Sequence, residues 1–202
     1  MTEFQSFPKM ARLSREVVIT EKIDGTNAQV FIANRIELPE TFSGFVASEG
    51  DLFMWAGSRT KWVYPGKEDN FGFAGWCAEH AGELFKLGPG RHFGEWWGGK
   101  IQRGYNLAKE EKRFSLFNTI FWADGRDRER YPIDRPACCH VAPVLYQGLF
   151  DSKHVENCLS KLRVEGSMAA PGFMQPERVV IYHTAANVAF KKTLEHDEGG
   201  KG

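Results

Sequence analysis

The chain has 202 residues, 42% of them hydrophobic and 13% aromatic, which is enough to bury a full core in one globular domain. Its 26 basic and 26 acidic side chains cancel, which excludes a general positive field that recruits nucleic acid indiscriminately and leaves only a local patch for such contact. No apolar run approaches a membrane span and residues 1–15 lack the hydrophobic stretch of a secretory signal, so a cytoplasmic protein with no membrane partner is expected.

In chain order, residues 16–20 form a β-branched run that reads as a buried strand, and residues 28–32 alternate as a second strand would. Asp24-Gly25 between them is a two-residue turn signal, because glycine accepts the positive φ of such turns. A hairpin is therefore predicted, with Lys22 at a strand end. Residues 44–48 and 53–56 continue the strands. Residues 70–86 change period and read as a helix with Phe73, Trp76, Cys77 and Leu84 on one face, closed by Gly88, Pro89 and Gly90. Strands follow at 91–97 and 113–122. A second helix begins near Asp151, a suitable N-cap, and carries Val155, Cys158, Leu159 and Leu162 on one face. Residues 179–182 and 188–190 complete the strands. The order lacks regular βαβ alternation and predicts an α+β fold of largely antiparallel sheets flanked by helices.

Several residues have the chemistry of a phosphate or nucleoside site, each with an ordinary alternative. A free lysine titrates near 10.4, so removing its proton at pH 7 costs roughly 4.6 kcal/mol unless its surroundings help. Lys22 is thus either a solvated strand end or a held nucleophile. Arg59 in Ser58-Arg59-Thr60 could bind a phosphate bidentately or lie on the surface. Glu95, inside the aromatic run 92–97, is costly if it points inward unless it is paired or liganded; otherwise it faces water. Glu165, read as opening a strand after the second helix, could orient a divalent cation or sit in solvent. Lys191 and Lys192 are adjacent on a strand, so one is expected to point inward toward an anion. Phe114 and Phe117 could stack on a purine or belong to the core. Lys100, Arg103, Lys109, Lys112 and Arg113, beside Trp97 and Tyr105, read either as a nucleic-acid patch or as a solvated loop interrupted by Glu110 and Glu111. Cys77, Cys138, Cys139 and Cys158 have no CxxC spacing, so reduced structural thiols are expected.

Together and in this order, the segments from Glu21 to Lys192 resemble the covalent nucleotidyltransferase superfamily of polynucleotide ligases and mRNA capping enzymes. The resemblance implies that Lys22 attacks the α-phosphate of a nucleoside triphosphate to form a lysyl-nucleotide. It implies Arg59 and Glu95 for ribose and phosphates, Phe117 for the base, Glu165 for the metal, and Lys191 or Lys192 for the α-phosphate. Ile23 falls in the same nucleotide-binding run. The spacing K-x-x-G-T-N, ending in Thr26 and Asn27, resembles the type-2-like, nick-sealing RNA ligases, whereas DNA ligases and capping enzymes typically have arginine two positions after the glycine. Asn27 is then a phosphate or nucleoside contact, and Glu21 reads the adenine amine, which selects ATP.

The implied protein is an ATP-dependent RNA ligase using Mg2+ or Mn2+. It would join 3′-OH and 5′-phosphate ends of RNA, with a nicked duplex as substrate, through lysyl-AMP and an adenylylated 5′ end. A minimal DNA ligase, or a nucleotide- or RNA-binding module of the same fold without turnover, are the alternatives. The expected organisation is an adenylation domain over 1–195 with a flexible tail at 196–202, no OB-fold, and a separate protein in place of the missing C-terminal domain. The last lysine motif departs from the K-x-K of the superfamily, since Lys191 and Lys192 have no residue between them.

Overall fold

The computed structural model describes residues 3–7, 10–37, 43–67, 69–125 and 127–193, Thr193 by its backbone alone; the tail expected at 196–202 lies outside the described residues. The elements in chain order are strands β1 (Glu16–Lys22), β2 (Thr26–Asn34), β3 (Ala47–Glu49), β4 (Leu52–Gly57) and β5 (Trp62–Val63), then helices α1 (Phe73–Glu79) and α2 (Ala81–Leu84). They continue with β6 (Gly90–Gly98), β7 (Lys112–Leu116), the helical turn α3 (Thr119–Trp122), β8 (Cys139–Val141), β9 (Val144–Leu149), helix α4 (Ser152–Glu165), β10 (Arg178–His183) and β11 (Val188–Thr193). The fold is mixed α/β, and among the described strands every pairing is antiparallel except that of β7 with β8. No helix among the described residues is long and apolar enough to cross a membrane.

The chain divides into two compact units, one of Met1–Lys22, Val144–Met168 and Met174–Gly202, the other of Ile23–Pro143 and Ala169–Phe173. In the first, a four-stranded sheet has the order β11-β10-β1-β9. Residues directly opposite in an antiparallel sheet share a face, and successive residues alternate faces. Val17 and Ile19 of β1 and Val179 and Ile181 of β10 therefore lie on one face, where they pack on Val155, Cys158, Leu159 and Leu162 of α4. Each aliphatic side chain so buried contributes about 1.5–3 kcal/mol. The Asp151 carboxylate caps α4 by accepting the Lys153 N–H at 2.8 Å, as its sequence predicts.

In the second unit the sheet order is β3-β4-β2-β6-β7-β8, with β5 beside β4. Ala28, Val30, Ile32, Met54, Ala56, Trp96, Phe114 and Leu116 turn to one face and form the core with Phe73, Ala74 and Cys77 of α1. Asn27, Gln29, Phe93, Glu95 and Ser115 turn to the other.

Three sequence expectations change. β1 and β2 do not pair: β1 joins β9 and β10, and β2 joins β4 and β6, so residues 23–25 connect two sheets instead of closing a hairpin. Gly25 is not left-handed; it is required for space, because a Cβ there would lie 2.4 Å from the Trp96 carbonyl oxygen and 2.7 Å from Trp97 Cβ. The helix expected over 70–86 breaks at His80, where φ is −103° and the ring Nδ1 sits 2.9 Å from the Trp76 carbonyl. The strand expected over 113–122 stops at Leu116, because Asn118 accepts the Phe121 N–H at 3.2 Å and starts α3.

Candidate active site

In the first unit, Lys22 ends β1 and is 31% exposed at its side chain; its Nζ donates to Glu177 Oε2 at 3.0 Å, and the Glu177 side chain is only 12% exposed. The other oxygen of Glu177 lies 2.6 Å from Arg178 Nε. A carboxylate so withdrawn from water is tolerable because two cations flank it. The strand-end lysine is thus held and aimed by a fixed anion.

The register separates the two terminal lysines. Lys22 lies opposite Arg178, Thr20 opposite Val180, and Val180 opposite Lys191, so Lys191 shares the Lys22 face. Lys192 lies opposite Val179, on the face that packs against α4, and its Nζ sits 2.5 Å from Glu156 of that helix. The two lysines thus point to opposite faces, as the strand period requires, but neither is buried as one of them was expected to be: Lys191 is exposed and Lys192 half-buried. Glu21 also turns to the α4 side: it is buried, and its carboxylate accepts Ser167 Oγ at 2.6 Å and the Met168 N–H at 2.7 Å. It anchors the segment that leaves the helix. Glu165 is the last residue of α4 and exposed, not the start of a strand.

In the second unit, Glu95 on β6 does point inward and is paired. It is buried, with Oε1 accepting the Gly25 N–H at 3.0 Å and Oε2 accepting Asn27 Nδ2 at 3.1 Å. Asn27 is held from its other side, its carbonyl accepting Asn70 Nδ2 at 3.4 Å. Phe117 follows β7, donates its N–H to the Phe93 carbonyl, and is exposed, while Phe114 is core. Asn27, Glu95 and Phe117 are therefore brought to one face of one sheet. Arg59 is exposed in the turn between β4 and β5, beside Ser58, whose carbonyl accepts Gln29 Nε2 at 3.3 Å; Ile23 is core, packed with Trp97, Tyr105, Ala170 and Phe173.

The basic stretch is not a stacking platform. Trp97 and Tyr105 are buried against each other, Arg103 pairs with Asp24, Lys109 with Glu110, and Arg113 with Glu111. The four cysteines are free thiols, as expected.

Glu177 and Arg178 escaped the sequence reading. Their signal was an acidic and a basic residue side by side immediately before the apolar run 179–182. Among the described residues no three His, Cys, Asp or Glu side chains gather into a cluster able to hold a metal ion, which excludes an all-protein cage there. Magnesium needs no such cage when one carboxylate and substrate phosphates suffice; Glu177 offers hard oxygen donors, but each already meets a cation, Lys22 or Arg178, so it takes a metal only by releasing one of them.

The family model for RNA ligase matches residues 15–199. No curated protein matches the sequence. Among solved structures, the chain is similar to the Naegleria gruberi RNA ligase with PPi, at 15% identity and a TM-score of 0.56 over 89% of this chain and 50% of that one. A mutant of that ligase with ATP and Mn gives 12% identity and a TM-score of 0.55, over 90% of this chain and 50% of that one. A mutant with AMP and Mn gives 14% and 0.56 over the same shares. The chain thus spans about half the length of those ligase chains, and at these identities the likeness is one of fold.

Proposed function

The chain belongs to the RNA ligase family, and from that premise we propose that it is an ATP-dependent RNA ligase in which Lys22 carries AMP. The domain over 1–195 is of the nucleotidyltransferase type and acts on 3′-OH and 5′-phosphate ends, with a nicked duplex as its substrate. The observation that carries the reading is the ion pair of Lys22 with Glu177, a strand-end lysine held 3.0 Å from a largely buried carboxylate.

In the first step Lys22 leaves its ion pair with Glu177, releases its ammonium proton to water, and attacks the α-phosphorus of ATP as the neutral amine. A nitrogen–phosphorus bond forms, the bond to the β-bridging oxygen breaks, pyrophosphate leaves, and the nitrogen gives its second proton to water. AMP then passes from Lys22 to a 5′-phosphate. A 3′-hydroxyl finally attacks that phosphate and releases AMP.

Glu177 holds Lys22 before reaction, and Lys191, on the same face, is the lysine proposed for the α-phosphate, where a fixed cation stabilises the charge that develops. In the other unit, Asn27 and Glu95 are proposed for the nucleoside, Phe117 for the base, and Arg59 for phosphate. Glu177 replaces Glu165 as the carboxylate proposed to hold Mg2+ or Mn2+; such an ion neutralises triphosphate charge and aligns the leaving group. The Naegleria ligase structures with ATP, AMP and Mn support ATP and a divalent ion as its requirements.

The test is transfer of label from α-labelled ATP to the protein, followed by denaturation. Wild type should take label with magnesium, and Lys22→Ala should take none. Absence of wild-type labelling, or labelling of Lys22→Ala, ends the proposal. Sealing of nicks with RNA or DNA at the 3′-hydroxyl side then reads the strand preference.

A further inference from the structure

A cleft of about 440 Å³ opens in the second unit, lined among others by Ser58, Lys61, Lys67, Asp69, Asn70 and Phe71. None of these residues has a part in the adenylyl-transfer steps above. The lining combines two features that suit a ligand. Phe71 is exposed at 52% of its residue surface, and its φ of 52° is one that bulky side chains avoid. Its backbone is fixed there, the carbonyl accepting Trp96 Nε1 at 3.3 Å. An aromatic ring held out of the core by a rigid, unfavourable backbone is a platform, and observed strain of this kind points to function.

The second feature is charge. Lys61 and Lys67 both line the cleft, and Lys67 has no ion pair among the described residues. The lining carboxylate of Asp69 is taken up by the Ala74 and Gly75 N–H groups, at 2.6 and 3.0 Å. Two lysines thus line the cleft beside one carboxylate, which is turned to the start of α1. Its floor is tied to β2, since Asn70 accepts Thr26 Oγ1 and donates to the Asn27 carbonyl. A chain lying in the cleft is thereby registered against the strand that carries Asn27.

An exposed ring beside paired cations, with no ordered set of base-edge donors, is how proteins hold single-stranded nucleic acid without reading its sequence. We propose that this cleft is a subsite for the RNA strand, stacking one base on Phe71 and placing neighbouring phosphates on Lys61 and Lys67. The proposal rests on the RNA ligase reading for its choice of ligand, but it has its own readout.

The experiment measures anisotropy of a fluorescein-labelled oligoribonucleotide of mixed sequence on the full chain, with self-adenylylation followed in parallel. Phe71→Ala should weaken RNA binding roughly tenfold. Lys67→Glu should do the same and flatten the salt dependence by about one phosphate contact. Both should keep wild-type self-adenylylation, which shows that they fold. Lys153→Glu, an exposed lysine on α4 in the other unit, should leave RNA binding unchanged. The proposal is overturned if the two cleft variants bind RNA as wild type does, if wild type binds none, or if Lys153→Glu loses as much. A wild type that binds RNA through the cleft yet takes no label would sink the ligase reading and leave the subsite standing.

Discussion

Lys22 Nζ and Glu177 Oε2 lie 3.0 Å apart although 155 positions separate the two residues in sequence. The antiparallel pairing of β1 with β10 produces that contact, by setting Lys22 opposite Arg178. An amine and a carboxylate brought together by a sheet register, not by a flexible loop, hold a defined geometry before any substrate arrives.

If Glu177 is the working carboxylate, Glu177→Ala should slow self-adenylylation by about 10²-fold or more, the usual cost of one preorganised electrostatic group. Glu165→Ala removes only an exposed helix-end charge and should stay within about twofold of wild type. Rates of label transfer at saturating ATP and magnesium decide between them. The reverse ranking would return the role to Glu165.

Lys191 and Lys192 should separate just as sharply. Lys191→Ala removes the cation on the Lys22 face and should slow adenylylation by about 10²-fold. Lys192→Ala breaks a partly exposed pair with Glu156, worth at most about 1 kcal/mol. Its rate should match wild type, with a small drop in melting temperature as its only effect.

Gly25→Ala tests the close approach of backbones at the connection between the sheets. The added Cβ would meet the Trp96 carbonyl and Trp97 Cβ well inside contact distance, so urea unfolding should report a loss of about 1–3 kcal/mol or more. Gly82→Ala in α2 meets nothing within 4 Å and should instead gain about 0.5–1 kcal/mol. Equal effects of the two substitutions would refute the steric argument.

His92 supplies a pH dependence whose sign can be worked out. Burial holds its pKa below the ordinary value of 6.5, against an opposing hydrogen bond with the Gly88 carbonyl. Between the lowered folded value and 6.5 the unfolded chain binds more protons, so stability rises with pH across that window. The contribution is intact above about 6.5 and is lost as pH falls through the folded value. His92→Gln, which can still donate to Gly88, should flatten this part of the curve in melting temperatures taken across the window. An unchanged slope would exclude His92 as its source.

The sequence alone was enough for what is local. The β-branched run at β1, the Asp151 cap, the apolar face of α4 and the order of charged segments from Lys22 to Lys192 all follow from a residue and its near neighbours, and α4 folds as they specify. Glu95 was legible in part: an acidic residue in an aromatic run had to be paired or exposed, and the structure pairs it with Gly25 and Asn27. Where local signals competed, reading failed. Asp24-Gly25 has the composition of a hairpin turn, but Gly25 answers to the backbone of β6. Residues of β9 show no clean alternation, since none is buried and three of the six are exposed, and that strand passed unnoticed.

Tertiary structure decided which charges meet. Whether Glu165 or Glu177 stands beside Lys22 depends on the register of strands far apart in the chain, which no window around either glutamate contains. Adjacent lysines have the same composition and the same neighbours, yet pairing of β11 with β10 sends Lys191 to the Lys22 face and Lys192 to α4. The physical reason is the two-residue period of a strand: local sequence sets the alternation, and only the packing of α4 on one side says which half of it faces the helix and which half turns away.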